Sequence, residues 1–522
     1  MPITEILERN AKLYADETSL VEREPAIGRR REITWKEFDS QSDKLANALI
    51  EYGIKRNEKV AILLMNCLEW LPIYFGVLKT GGMAVPLNFR FTAEEILKCM
   101  ETAEAKILIY GPEFVERIDE IKDSLSRFVE KLIFVGEDCP GSTISYSDIL
   151  EEYPAGAPGI PIDDSEEAAL YFTSGTTGIP KPIILTHSNL LWACIAENKH
   201  HLQTHEDNFL CIPPLYHTGA KMHWFGSFLV GSRAVILKGV KPRWIMEAIS
   251  EERATIVWLL VPWAQDILDA IDKGEIRLED YKLEQWRLMH IGAQPVPPSL
   301  VQRWKKVFPN HDYDTNYGLS ESTGPSCVHL GIENIHKVGA IGIPGYGWEA
   351  MIVDDKGNPV PNGAVGEIIV KGPGVMKGYY KNEEATAKVL KNGWLYTGDM
   401  ARKDEDGFIY LVDRKKDVVI CGGENIYPVE IENFLMTHDD IKDVAVIGMP
   451  DDRLGEIPVA IVEMKEGRGM DEDTILSFCQ ALPRYKRPRK VIFDKVPRNP
   501  TGKIEKPKLR EKWCKTSKAV FV

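Results

Sequence analysis

The chain has 522 residues, more than one hydrophobic core usually serves, so two or more domains are expected. Its apolar content of 44% with 27% charged residues suits a soluble globular protein. The formal net charge of −14 argues against nucleic-acid binding, which needs an electropositive face. Nine cysteines form no CxxC pair and no Cys/His cluster, which disfavours a zinc site or a disulfide framework and points to a reducing, cytoplasmic setting.

The opening stretch, MPITEILERNAKLYADETSL, carries acidic residues and no apolar h-region, so no signal peptide is expected. Residues 35–52 have apolar positions at helical spacing, and 60–65, 105–110 and 131–135 are short apolar runs that predict buried strands. The most hydrophobic run, 60–78, is broken by Asn66, Glu69 and Pro72. It predicts a strand followed by a helix rather than an integral membrane segment. Strands alternating with helices imply an α/β fold with a largely parallel sheet. The Pro- and Gly-rich string YPAGAPGIP at 153–161 then punctuates the chain.

Residues 171–190 read YFTSGTTGIPKPIILTHSNL. Seven of the first eleven are Thr173, Ser174, Gly175, Thr176, Thr177, Gly178 and Lys181. Small hydroxylic residues at that density cannot build a core, but they form a loop whose N–H groups and hydroxyls turn to an anion, with a lysine adding charge. An apolar run on each side predicts a strand–loop–strand hairpin, and Thr186, His187 and Ser188 are cap candidates for a following helix. The strand–loop–helix and GxxxxGK[ST] of a Walker A site are absent.

Beyond the hairpin, strands are predicted near 208–216, 232–237, 254–260 and 288–291, with a helix through 225–229. They end in Gly, Pro or polar turns, as in α/β proteins that place ligands at strand carboxyl ends. Among these turns are His217-Thr218-Gly219 and Gly292-Ala293-Gln294-Pro295. Residues 316–323 read NYGLSEST: Gly318 and Ser320 are small enough to admit a nucleotide, and Glu321 is a hard oxygen ligand for Mg2+. From about Asp354 the texture becomes short strands and turns, including GWLYTGD up to Asp399. The charged run Arg414, Lys415, Lys416 and Asp417 separates this β-rich part from a terminal α+β module. Residues 482–515 hold thirteen Lys and Arg against three Asp and Glu, without the interleaved aromatics of a nucleic-acid face; the phosphates of ATP or CoA are the favoured partners.

The SGTTGxPK string, NYGLSE, YTGD, DRKKD and a final PTGK at 500–503 occur in one order along nearly the whole chain. Together they resemble the AMP-forming acyl-CoA synthetases of the adenylate-forming (ANL) superfamily. The resemblance implies a large N-terminal domain, 1–413, of mixed, mainly parallel sheets with helices and a small β-rich subdomain at about 335–413. A small mobile α+β domain, 414–522, would follow. It also implies a soluble acid:CoA ligase using ATP, Mg2+ and coenzyme A on a small carboxylic acid, working as monomer or homodimer.

The implied site residues are these, read from the resemblance. Lys503, Glu321 and Ser320 would be catalytic, with Glu321 and Thr173 at the metal. ATP or AMP would meet residues 173–178, Lys181, Gly292, Ala293, Gln294, Asn316, Tyr317, Gly318, Leu319, Asp399 and Arg414. His217, Thr218, Gly292 and Gly318 would border the acyl pocket, with one or two of Trp192, Trp224, Trp258 and Trp263. Gly422, Gly423 and Glu424 would border the CoA tunnel, and Lys416 would be the hinge. Pro182 departs from the family's glycine and stiffens the loop's exit. A medium-sized apolar acid (aryl, alicyclic or medium- to long-chain fatty) is expected. Adenylation for a carrier protein, noncatalytic nucleotide binding and luciferase-type oxygenation stay open.

Overall fold

The computed structural model describes residues 1–141, 143–173, 181–292, 296–330, 332–498 and 504–514. Four sheets organise them. One has eight strands, with Glu167–Thr173, Met83–Pro86, Lys59–Leu63, Ala105–Tyr110, Lys131–Phe134 and Ile144–Ser145 in parallel. Lys181–Thr186 and then Gly378–Tyr379 extend it antiparallel at one edge. The predicted hairpin and the run at 105–110 stand as read; the run at 60–78 resolves into Lys59–Leu63 and the fully buried helix Trp70–Lys79. A strand buried on both faces needs a continuous apolar run, which is why these segments were legible.

A nine-stranded sheet has a parallel centre of Asp312–Tyr317, Leu288–Gly292, Ile256–Leu260, Asn208–Cys211, Arg233–Leu237 and Thr18–Glu24. Antiparallel strands finish both edges. The helices His187–His201 and Thr218–Val230 pack on one face of it, where Trp224, Phe225 and Phe228 join Phe38 and Phe75 in a shared core. The helix His187–His201 starts at Thr186, whose hydroxyl accepts from Asn189 N while the Asn189 side chain accepts from Thr186 N. That closes a reciprocal cap of the kind the sequence announces.

The third sheet, antiparallel, joins Glu349–Val353, Gly366–Lys371, Trp394–Lys403, Leu390–Lys391 and Ile409–Arg414. The fourth joins Glu424–Ile426, Val419–Cys421, Gly455–Met464, Ile441–Asp451 and Lys490–Phe493. It buries one apolar cluster around Val444, Val446 and Ile431 and another around Ala445, Ile447 and Leu509. Alternation along Ile441–Asp451 sends successive residues to opposite faces. No helix among the described residues is long and apolar enough to cross a membrane.

Candidate active site

The hairpin Glu167–Thr173 to Lys181–Thr186 sets Thr173 opposite Lys181, and the Thr173 hydroxyl donates to the Lys181 carbonyl at 3.3 Å. Ser174, Gly175, Thr176, Thr177 and Gly178 lie outside the described residues, as do Ala293, Gln294 and Lys503. The Lys181 ammonium sits 5.4 Å from the centre of the Tyr379 ring, and the Tyr379 hydroxyl donates to Glu321 Oε1 at 3.0 Å. Tyr379 thus ties the base of the loop to Glu321. It can do so because its short strand pairs alongside Lys181–Thr186, with Tyr379 opposite Ile183. Pro182 lies within the exit strand, opposite Phe172, and its carbonyl accepts from Tyr380 N at 2.8 Å.

A second constellation joins residues far apart in sequence. The Tyr317 hydroxyl donates to Asp399 Oδ2 at 2.7 Å, and Arg414 Nε pairs with Asp399 Oδ1 at 3.2 Å. Asp399 stands opposite Arg414 across two neighbouring strands, so the register itself brings carboxylate and guanidinium together. Asp399 is buried; burial and then the Asp399 charge push the Tyr317 phenol well above its ordinary value. Both partners hold that carboxylate in one orientation, as a charge-assisted acceptor.

Ser320 and Thr218 share a hydroxyl hydrogen bond at 3.0 Å, linking the turn before Glu321 to the start of the helix Thr218–Val230. His217 is that helix's N-cap: its Nδ1 accepts from Gly219 N at 3.2 Å. The Leu319 N–H donates to the Ser322 hydroxyl at 2.8 Å, tightening the same turn. A Cβ on Gly318 would fall 2.5 Å from the Gly324 carbonyl oxygen, so close backbone packing already requires glycine there. Gly292 is different. Among the described residues, a Cβ there would meet only Trp258 Nε1 at 3.9 Å and His290 Nε2 at 4.0 Å. Trp258 also reaches 3.5 Å from the Cβ position of Gly219, next to His217 and Thr218, whereas Trp224 belongs to the core.

Beside this face lies a buried polar chain that sequence reasoning missed. Asp314 Oδ2 accepts from His201 Nε2 at 2.7 Å and from His290 Nδ1 at 2.9 Å. His201 Nδ1 lies 3.5 Å from Glu197 Oε2, and Asn316 Nδ2 donates to Glu197 Oε1 at 3.4 Å. Burial opposes charge on Asp314, yet its two histidine hydrogen bonds outweigh that and hold its carboxyl well below the usual range. Burial likewise opposes charge on His201, but the Asp314 hydrogen bond and the Glu197 charge raise it; burial pushes Glu197 up. These residues come from a helix and two strands, so no local motif announces them. The one available signal is His290 between Met289 and Ile291, a polar residue inside a buried run.

After the third sheet, Lys416 is exposed, yet the desolvation of its ammonium by neighbouring groups lowers it from its ordinary value. Next to it, Asp413 Oδ2 accepts from Val429 N at 3.0 Å, at the start of the helix Pro428–Leu435. Burial raises the Asp413 carboxyl to about 6, against the lowering charge of Lys506, which pairs with Glu432 at 2.8 Å. Gly422 and Gly423 take φ of 59° and 87° in the tight turn before the exposed Glu424, backbone that favours glycine.

Two family models cover most of the chain: AMP-binding enzyme over residues 7–380, and AMP-binding enzyme C-terminal domain over 430–503. The chain belongs to the AMP-binding enzyme family. A feruloyl-CoA synthase from an Amycolatopsis species is 33% identical over 92% of this chain and 94% of its own length. An indoleacetate–CoA ligase from Aromatoleum aromaticum is 32% identical over 98% of each. The fold overlays an anthranilate CoA ligase solved with anthranoyl-AMP at a TM-score of 0.89, with 26% identity, covering 100% of this chain and 98% of that one. ATP-bound MatB from Rhodopseudomonas palustris gives 0.87 at 27% identity over 99% of this chain and 100% of that one. This member of the AMP-binding enzymes is an AMP-forming acid–thiol ligase, with ATP and CoA as the substrates of its class.

Proposed function

We propose that this AMP-binding enzyme activates a medium-sized, largely apolar carboxylic acid (aryl, alicyclic or medium- to long-chain) and passes the acyl group to coenzyme A. The acid's carboxylate attacks the α-phosphorus of ATP and pyrophosphate leaves; the CoA thiolate then attacks the acyl carbonyl and AMP leaves with the bond's electrons. The observation that carries this reading is the convergence of Tyr317 and Arg414 on the buried Asp399, a fixed two-oxygen acceptor suited to a ribose diol.

Glu321 and Thr173 offer hard oxygen donors of the kind Mg2+ prefers, and Tyr379 already orients the Glu321 carboxylate. When bound there, the ion would neutralise phosphoryl charge. Lys181, beside Tyr379, adds a cation near the loop, and Lys503 supplies the charge that stabilises the transferred α-phosphate. Residues 1–413 form the adenylating domain in this reading, and 414–522 a mobile domain that pivots at Lys416 and brings Gly422, Gly423 and Glu424 to the thiol. The aryl acids named for the relatives support an aromatic substrate.

The test is pyrophosphate release across a panel of acids, followed by CoA or a phosphopantetheinylated carrier protein as acceptor. Release with an aryl or alicyclic acid and transfer to CoA is expected. Transfer to the carrier protein alone would replace this reading with that of a stand-alone loading enzyme.

A further inference from the structure

The turn around Lys416 is held from both sides. Asp417 N donates to the Arg414 carbonyl at 2.8 Å, which closes residues 414–417. Towards the third sheet, Arg414 pairs with Asp399, and Lys415 Nζ pairs with Asp355 at 2.8 Å and with Glu367 at 3.2 Å. Towards the fourth, Arg510 on the helix Lys506–Cys514 pairs with Asp417 at 2.8 Å. Asp413 reaches across. It sits on a strand of the third sheet, yet its Oδ2 accepts from Val429 N at 3.0 Å, at the start of the helix Pro428–Leu435. Tyr427, at that helix's N-cap position, supplies no side-chain cap. A carboxylate from the other side of the turn does the capping instead.

Lys506 adds a second hold. Its buried ammonium pairs with Glu432 Oε1 at 2.8 Å, an oxygen that also accepts from Val446 N at 2.7 Å. Burial opposes charge on Lys506, but Glu432 and then Asp413 outweigh it and raise the ammonium. Removing that ammonium would leave Asp413 and Glu432, both buried, without the cation whose charge they share.

These contacts belong to one arrangement of the chain. A rotation at Lys416 would leave Asp413 with the third sheet and carry Val429, Glu432 and Lys506 away with the fourth. In the arrangement seen here, Gly422, Gly423 and Glu424 are exposed rather than enclosed around a thiol. The geometry points to Asp413 and Lys506 as positioning residues, a latch across the pivot that holds the adenylating arrangement and lets go for thioester formation. The inference rests on the two-step ligase reading and its pivot, and names what sets the balance between the two arrangements.

The test uses the full-length enzyme with the acid that gives the fastest pyrophosphate release. Adenylation is timed by that release, and thioester formation by CoA added to supplied acyl-AMP. Asp413→Ala should shift the ratio of the two rates about tenfold towards thioester formation, the effect of one charge-assisted hydrogen bond on a two-state balance. Lys506→Met should shift it the same way, and Lys506→Arg, which keeps the charge, should restore most of it. Asp413→Asn, whose amide oxygen can still accept from Val429 N, should fall between wild type and Asp413→Ala. Each ratio is taken on one preparation, so partial misfolding of a variant cancels. A second readout needs no substrate. Trypsin should cut Asp413→Ala after Arg414, Lys415 or Lys416 about tenfold faster than wild type, with the digest elsewhere unchanged.

Equal slowing of both half-reactions by Asp413→Ala would overturn the proposal and leave Asp413 a structural cap. So would a ratio shifted towards adenylation, a ratio that Lys506→Met leaves unmoved, or linker cleavage no faster than in wild type. Pyrophosphate release with an unmoved ratio leaves the ligase reading standing. No release from the wild type with any acid removes the ligase reading and this inference together.

Discussion

Asp399 is the residue where sequence and geometry meet most directly. The string Tyr-Thr-Gly-Asp marked it, but nothing near it in sequence showed that Tyr317, 82 positions earlier, would donate to its carboxylate. Such pairs arise from sheet register and packing, which one sequence does not display. The Asp399→Ala variant should lose ATP affinity by on the order of 2–4 kcal/mol, the scale for charge-assisted hydrogen bonds. Isothermal titration with ATP decides it, and an unchanged affinity would reduce Asp399 to a strand residue that anchors Arg414. Glu321 was legible for a simple reason: its motif is contiguous. Its partner Tyr379 was not, because that contact depends on a two-residue strand joining the sheet edge.

At the scale of elements, two helix starts carry the argument. His217 caps the helix Thr218–Val230 and is also the residue proposed to border the acyl pocket, so one substitution tests both roles. His217→Ala should cost about 1 kcal/mol of stability, the usual worth of an N-cap, and should shift acid preference with ATP affinity nearly constant. Thermal melts beside an acid panel separate these effects; lost stability with an unaltered preference would leave His217 a cap and nothing more. The other start is the helix Pro428–Leu435, whose Val429 N–H donates to Asp413. A carboxyl raised to about 6 by burial contributes stability that is fully present below its ordinary 3.8 and lost as pH climbs through about 6. Asp413→Asn should flatten that part of the stability profile. Chemical denaturation at pH 4 and pH 7 checks it, and equal pH dependence in both proteins would contradict the assignment.

For the whole molecule, the buried histidines give an opposite slope. Burial lowers His187 to about 4 and His311 to about 3. Stability from these rings is present above pH 6.5 and falls as pH drops towards 4. Each can add up to about 1.4 kcal/mol per pH unit to the loss. His187→Gln should soften acid unfolding between those limits. The two half-reactions supply a test on the same scale. Lys503→Ala should slow adenylation by about 10²-fold or more, the cost of one preorganised charge-stabilising group, and should spare thioester formation from supplied acyl-AMP. Equal slowing of both halves would make the lysine a general binding residue and undo the two-conformation reading. The alternation of α and β, the terminal α+β part and the signature strings were all legible because each rests on local pattern. The division into four sheets was not, since strand pairing is long-range.

The carboxy-terminal sheet buries apolar clusters on both of its faces, around Val444 on one side and Ala445 on the other. A layer that shields itself owes little of its shape to whatever lies next to it. Recombination between relatives near residue 417 would therefore yield hybrids that still fold, and acid choice would be inherited with the amino-terminal part of the chain. Such a hybrid should keep the acid ranking of its amino-terminal parent whichever carboxy-terminal segment it receives, a heritability that an acid panel run on reciprocal hybrids would read.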